Sequence, residues 1–438
     1  MAVVWPRTRG MAVAATVAPP TPPVIPPGGY ADLGDANYDA IFSGDDTGVS
    51  DVTSALRTFL ENNKSNKTVA LHKEGTYLIT PNSNDADSAI FLIDGAVNFR
   101  IDFRGSKVIN SKKNSLRTGT DLTATNGSGT VTSATANFSG SDVERVIGIQ
   151  GVEYTIQAVT NATTATILAS ADFGSRYSGT TGTNKSWAIR NHAAHGIFRY
   201  VSANNVTVND LWVEGWNGPS GPNGFQWVDP DQYEHGVQIQ GGIAVINRPK
   251  TKYMGGDGVY VVPNTSYPNT TNVEIHDPDC QYSGRNNISI IGGTVLVEGG
   301  SVDWSGLHGI DIEPNGENIS GTVDATSIHA TIDGVDVRGY AALEVENGEA
   351  AIAAGGTNGS MKPSVTVRNC TGKLLAIYIR RTTTVVVQNN SSENAAQYYY
   401  GTYPNANLNT SETITGNTNI TIHFEADWAP NFNISQTR

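Results

Sequence analysis

What this chain lacks narrows the field first. No apolar run in its 438 residues approaches the ~20 that a bilayer-spanning helix needs, so membrane insertion is not expected. Lys and Arg number 28 against 41 Asp and Glu, and the net charge of −13 makes nucleic acid an unexpected partner. Cysteine is nearly absent. Cys280 and Cys370 are too few for a disulfide framework, and both fall near strand or turn positions. Two separate, reduced, partly buried thiols are expected. The histidine spacing matches no metal-site motif, so no metal or other cofactor is expected, with a divalent cation such as calcium left open. An apolar period of 3.6 residues is missing too, which excludes helical repeats.

What is abundant is Gly (47 residues), with Asn, Thr and Ser, a mix suited to short strands and tight turns. One short motif recurs five times, at His195–Tyr200, His235–Gln240, Asp257–Val262, Asn286–Ile291 and His308–Glu313. Each copy is a polar residue, a Gly or Asn, then an alternating strand. Counted from Gly196, Gly236, Gly258, Asn287 and Gly309, the steps are 40, 22, 29 and 22 residues. A second strand precedes each later copy, at 206–208, 245–246, 273–275 and 295–297. Two phase-locked strands in a period of this length predict stacked parallel coils. The expected fold is all-β: a right-handed, single-stranded parallel β-helix with a small inserted β domain and an N-terminal capping helix.

Five segments are expected. Residues 1–29, with a Pro-rich run from Pro19 to Pro27, read as an arm or linker rather than a cleaved leader. Residues 30–117 hold the first coils and a helix capped by Ser50 or Asp51, with Ala55, Leu56, Phe59 and Leu60 on its buried face. Residues 118–190, rich in Thr, Ala, Ser and Gly, read as an inserted small barrel or sandwich of about five strands. Residues 191–395 form the main β-helix. Residues 396–438 carry Tyr398–Tyr400, Trp428 and Phe432, and read as a cap or oligomerisation tail.

The opening segment resembles the pectate-lyase superfamily of right-handed β-helices, on Gly44–Gly48, the helix from Ser50 to Leu60, and Gly75–Ile79. The stretches Ser283–Ser289 and Gly309–Asn315 look like coils of phage tail proteins with this fold. Within the insert, Gly129–Ala134, Asn137, Phe138, Asp142, Val143 and Tyr154–Ile156 resemble a module of tailspike-like proteins. The resemblance implies a phage tail protein, tailspike or minor tail, located in the virion or alternatively secreted. It implies a homotrimer, with bacterial surface polysaccharide and other tail proteins as partners, the latter through the N-terminal arm. The paired Asp and Gly-His-Gly pattern of polygalacturonases is missing, so no activity is carried over.

The residues themselves nominate two sites. In the motif, positions three and five are apolar and should point inward, leaving Gln238, Tyr260, Ser289 and Asp311 with Gln240, Val262, Ile291 and Glu313 facing solvent. Asp311 and Glu313, two apart on one strand, should hold carboxyls about 7 Å apart, within the span of an inverting glycosidase pair. Asp257 should lie two coils away. His308 is a candidate proton carrier, and Arg285 stands at the edge of the strip. A lyase would use Arg285 or Lys252 as base with a bound cation. Against catalysis, His195, His235 and His308 share one register in this alignment, as do Asp257 and Asn286, so a hydrogen-bonding ladder or local turn bonding stays open. The second candidate is a glycan-binding loop with Trp216, Phe225, Trp227, Asp231 and Tyr233, joined by Gln238 and Tyr260 on the strip. Three functions remain: glycan binding, glycan hydrolysis or elimination, and a structural spacer.

Overall fold

The computed structural model describes residues 32–80, 89–110, 115–143, 145–150, 152–168, 180–190, 196–215, 234–263, 271–313, 328–338, 351–355, 363–373, 375–380, 382–393, 411–424 and 434–435. From Leu33 onward they belong to one unit. Apart from the antiparallel insert, its strands pair in parallel, coil upon coil, and the fold is a parallel β-helix.

Among the described residues a complete coil carries three strands, one more than the sequence showed. The coil starting at Asn272 runs through Asn272–His276, Asp279–Gln281 and Ile288–Ile290. The first strands stack in register, so that Val206, Ala244, Val273, Val295, Ala330, Val365 and Val385 form one inward column. The third strands stack likewise through Val237, Val259, Ile288, Ile310, Ile352 and Ile377. All of these side chains are buried in a continuous apolar core. The middle strands, such as Lys250–Lys252 and Ser301–Asp303, have a single inward side chain between two polar ones. Two alternations are too few to stand out in the sequence.

The corners between first and middle strands use left-handed residues: Asp210, Arg248, Asp277, Gly299 with Gly300, Gly334, Asn369, Asn389 and Gly416. Gly, Asn and Asp occupy that conformation at least cost. Arg248 is the exception, and its guanidinium is held by Asp210 at 2.6 and 2.9 Å.

The register corrects the alignment of the first motif copy by one residue. Phe198, not Ile197, pairs with Val237, and Arg199 pairs with Gln238. Gly196 therefore takes the place equivalent to His235, and His195 lies outside the described residues. The alternation explains the slip. Phe198 and Tyr200 both turn inward and are fully buried, whereas the other alignment points Arg199 into the core.

The helix spans Thr53–Asn63 and sends Leu56 and Leu60 into the core. Val52 is its N-cap residue, while Asp51 accepts the Thr53 amide at 2.8 Å. Ala55, expected on the buried face, is exposed. The insert is a closed antiparallel barrel of six strands, Ser115–Ala124, Thr130–Thr132, Val146–Ile149, Val152–Asn161, Thr164–Leu168 and Gly182–Arg190. Its own core includes Leu122, Tyr154, Ile156 and Trp187. Cys280 and Cys370 are buried free thiols, pushed up to about 12 and about 11 by burial.

Candidate functional site

On the outer side of the third-strand stack lies one column: Arg199, Gln238, Tyr260, Ser289 and Asp311. The expectation that these residues face water fails. Gln238, Tyr260, Ser289 and Asp311 are all buried, and Val262 and Ile291 pack with Tyr260 in a small apolar cluster. Position on the outer face of a strand does not imply exposure when neighbouring side chains close over it.

Beside this column runs a ladder made by the first residues of the motif copies. The Asp257 amide donates to His235 Nδ1 at 3.1 Å, the Asn286 amide to Asp257 Oδ1 at 2.9 Å, and the His308 amide to Asn286 Oδ1 at 2.9 Å. Each side chain thus fixes the backbone of the next coil. Asp257 and Asn286 serve as ladder members, and the polar residue before the Gly or Asn has a structural reason to be there. The His235 ring also stacks flat on Tyr260, centroids 4.2 Å apart and planes 2° from parallel.

Through Asn286 the ladder reaches the strip. Asn286 Nδ2 donates to Ser289 Oγ at 3.0 Å and to Asp311 Oδ2 at 3.2 Å. Because Oδ1 is committed to the His308 amide, the amide group can only face Asp311 with its donor. Arg285 enters from the other side, with Nε 3.9 Å from Asp257 Oδ1 and Nη2 3.9 Å from Glu313 Oε2. Among the described residues no group accepts a hydrogen bond from the Arg285 side chain, so its donors are open. Glu313 is the most accessible carboxyl of the three, its side chain 32% exposed, while Asp257 is fully buried.

The three carboxyls are pushed apart electrostatically. Burial raises Asp311 to about 7, with the Asp257 charge adding, and Arg285 and Asn286 only partly oppose this. Burial and the neighbouring Asp311 raise Glu313 to about 7 as well. Burial acts on Asp257 too, but Arg285, His235 and the Asn286 amide outweigh it and hold it below the usual carboxylate range. Arg285 is raised despite burial because Asp257, Asp311, Tyr260 and Glu313 surround it. His235 is lowered by burial, which the Asp257 charge does not overcome. The strip therefore holds one committed carboxylate and a pair of carboxyls able to keep a proton near neutrality.

Of the sequence-nominated residues, the fold brings together Asp257, Arg285, Asp311, Glu313, Gln238 and Tyr260, with His308 acting electrostatically on Glu313. Lys252 is not among them. It lies on the middle-strand stack, paired with Glu214 and Gln281, where it cannot share a face with Asp311. Trp216, Phe225, Trp227, Asp231 and Tyr233 lie outside the described residues. Sequence reading missed Asn286 as a contact of Asp311, and it missed Arg199 as a member of the strip. The first needed a contact between coils, and the second was hidden by the one-residue slip.

No family model matches this chain, nor does any curated protein. Similar solved structures include the catalytic domain of a GH87 alpha-1,3-glucanase in complex with tetrasaccharides. That match has 14% identity and a TM-score of 0.38, covering 95% of this chain and 70% of that one. The tailspike of Acinetobacter baumannii bacteriophage AP22, in complex with A. baumannii capsular saccharide, shares 11% identity at a TM-score of 0.22, over 83% and 77% of the two chains. The tailspike of Pseudomonas phage LKA1 shares 11% at a TM-score of 0.19, over 80% and 75%. Chemistry is read from the site itself.

Proposed function

We propose that this chain acts on bacterial envelope glycans as a tailspike-like component of a phage tail, and that the Asp311–Glu313 strip hydrolyses the bound glycan. The observation that carries the hydrolytic reading is the proton-holding carboxyl pair set beside Asp257, a carboxylate kept charged by the nearby Arg285. A surface serving only as a spacer gains nothing from burying two carboxyls that resist ionisation, since each costs folding free energy when it ionises.

In this reading the pair shares one proton at neutral pH. Glu313, the more accessible group, donates it to the glycosidic oxygen as the bond to the anomeric carbon breaks. Asp311 takes a proton from the water that adds to that carbon. Arg285 then stabilises the Glu313 carboxylate left behind, and Asn286 holds the Asp311 that has gained the water's proton. Residues two apart in extended chain stand about 7 Å apart, a spacing that leaves room for the water and fits inversion of configuration. Attachment through the Pro-rich arm and assembly as a trimer complete the proposal.

The test is chromatographic detection of oligosaccharides released from purified envelope polysaccharides of a bacterial panel, with Asp311→Ala and Glu313→Ala beside the wild type. Release by the wild type and loss in both variants supports the assignment. Binding without release by the wild type would remove the hydrolytic role and leave glycan recognition alone.

A further inference from the structure

Two rungs from Tyr260 in the outward column stands Arg199, a partly buried cation without an anion. Its Nε donates to Gln240 Oε1 at 3.0 Å and its Nη2 to the same oxygen. Among the described residues no carboxylate lies within ion-pair distance, and Tyr260 is the one titratable group that favours its charge. A guanidinium has five N–H donors, and this neutral acceptor takes two. Elsewhere in the coils arginines are paired: Arg100 with Asp102, Arg248 with Asp210, Arg368 with Asp333. Leaving a half-buried cation uncompensated is costly unless something supplies the missing charge.

A second, independent observation lies on the next rung. Gln238, paired with Arg199 in register, is 7% exposed, and its Oε1 is buried without a hydrogen-bond partner. A cation lacking an anion, an acceptor lacking a donor, and the Tyr260 ring thus stand on three successive rungs. This run leads along the strip to Arg285 and Asp311. Arg199 is four rungs from Asp311, about 19 Å along the axis at the usual strand spacing.

We propose that Arg199, Gln238 and Tyr260 form a subsite for an acidic sugar, the guanidinium taking the carboxylate and Gln238 Oε1 a hydroxyl hydrogen. The inference rests on the glycan reading of the strip, and it names the substrate class: a polysaccharide bearing carboxylate groups several residues from the cleaved bond. In a chain of net charge −13, such a site gives local attraction where the protein as a whole repels the ligand. A guanidinium suits this role because it meets a carboxylate through two parallel hydrogen bonds.

The test measures calorimetric binding of six-residue oligosaccharides from polygalacturonate, alginate and hyaluronan, each beside its carboxyl-reduced counterpart. The wild type is expected to bind at least one acidic form tenfold or more tighter than the reduced form, with the preference shrinking as salt rises. Arg199→Gln should abolish that preference and Arg199→Lys should restore part of it, neither with a thermal midpoint below that of the wild type. Equal binding of acidic and reduced forms by the wild type, no binding of any acidic form, or an Arg199→Gln protein that keeps the preference would each overturn the subsite. Glu313→Gln, run in parallel, separates the two proposals. Loss of cleavage with the acidic preference intact supports both, whereas wild-type cleavage in that variant removes the hydrolytic reading and leaves the subsite standing.

Discussion

Asn286 donates its side-chain amide to Asp311 Oδ2 across 3.2 Å, from one coil to the next. The contact links the scaffold to the chemistry, because the same side chain accepts the His308 amide through Oδ1. Asn286→Ala should therefore have two effects. The partly buried His308 amide and the buried Asp311 carboxyl each lose a partner, which should lower stability by about 1–3 kcal/mol in urea denaturation. Asp311 also loses a group that favours its charged form, so its pKa should move further up, measurable by carboxyl-carbon NMR. A variant with full stability and an unmoved Asp311 would show that the contact is incidental.

The pH dependence of stability follows from the same pair. Asp311 and Glu313 bind their protons more tightly when folded than the ~4 of an unfolded carboxyl allows. Their contribution is complete below that value and is lost as pH rises through about 7. Asp257 has the opposite sign, contributing above the unfolded carboxyl value and losing its contribution as pH falls. Asp311→Asn should therefore raise the urea midpoint relative to wild type progressively from pH 4 to 7. A difference curve that is flat over that window would mean that Asp311 titrates normally.

Phe198 tests the corrected register. It stacks on Phe91 at 4.9 Å between centroids and meets Phe103 edge-on at 5.4 Å, all inside the core. Phe198→Ala should cost about 3–5 kcal/mol, the usual penalty for emptying such a site. A loss below about 1 kcal/mol, measured by chemical denaturation, would place Phe198 outside the core.

The β-helix was legible because the signal is repeated. Val259 with Val261, and Ile310 with Ile312, show the same alternation at the same distance from a Gly or Asn, and only inward-facing residues need to recur. The middle strands were not legible, since Val302 between Ser301 and Asp303 carries too little pattern to separate a strand from a turn. The site was half legible. Asp311 and Glu313 were visible as two carboxyls on one strand, but their burial arises from side chains on other coils. Asn286, Arg285 and Asp257 shape the pair from other coils, whose lengths vary with the intervening turns, and spacing along the chain does not encode their action. Arg199 was readable in principle, because only the shifted alignment keeps an arginine out of the core.

The most direct measurement of the central claim is the pH profile of glycan cleavage by the wild type beside Glu313→Gln, with glycan binding followed in the same samples. The account predicts wild-type cleavage that falls away above about pH 7 as the pair loses its shared proton. Removing a general acid typically costs a factor of about 10² to 10⁴, so the variant should bind normally and cleave at least a hundredfold more slowly. Cleavage by Glu313→Gln at the wild-type rate, with the same profile, would contradict it.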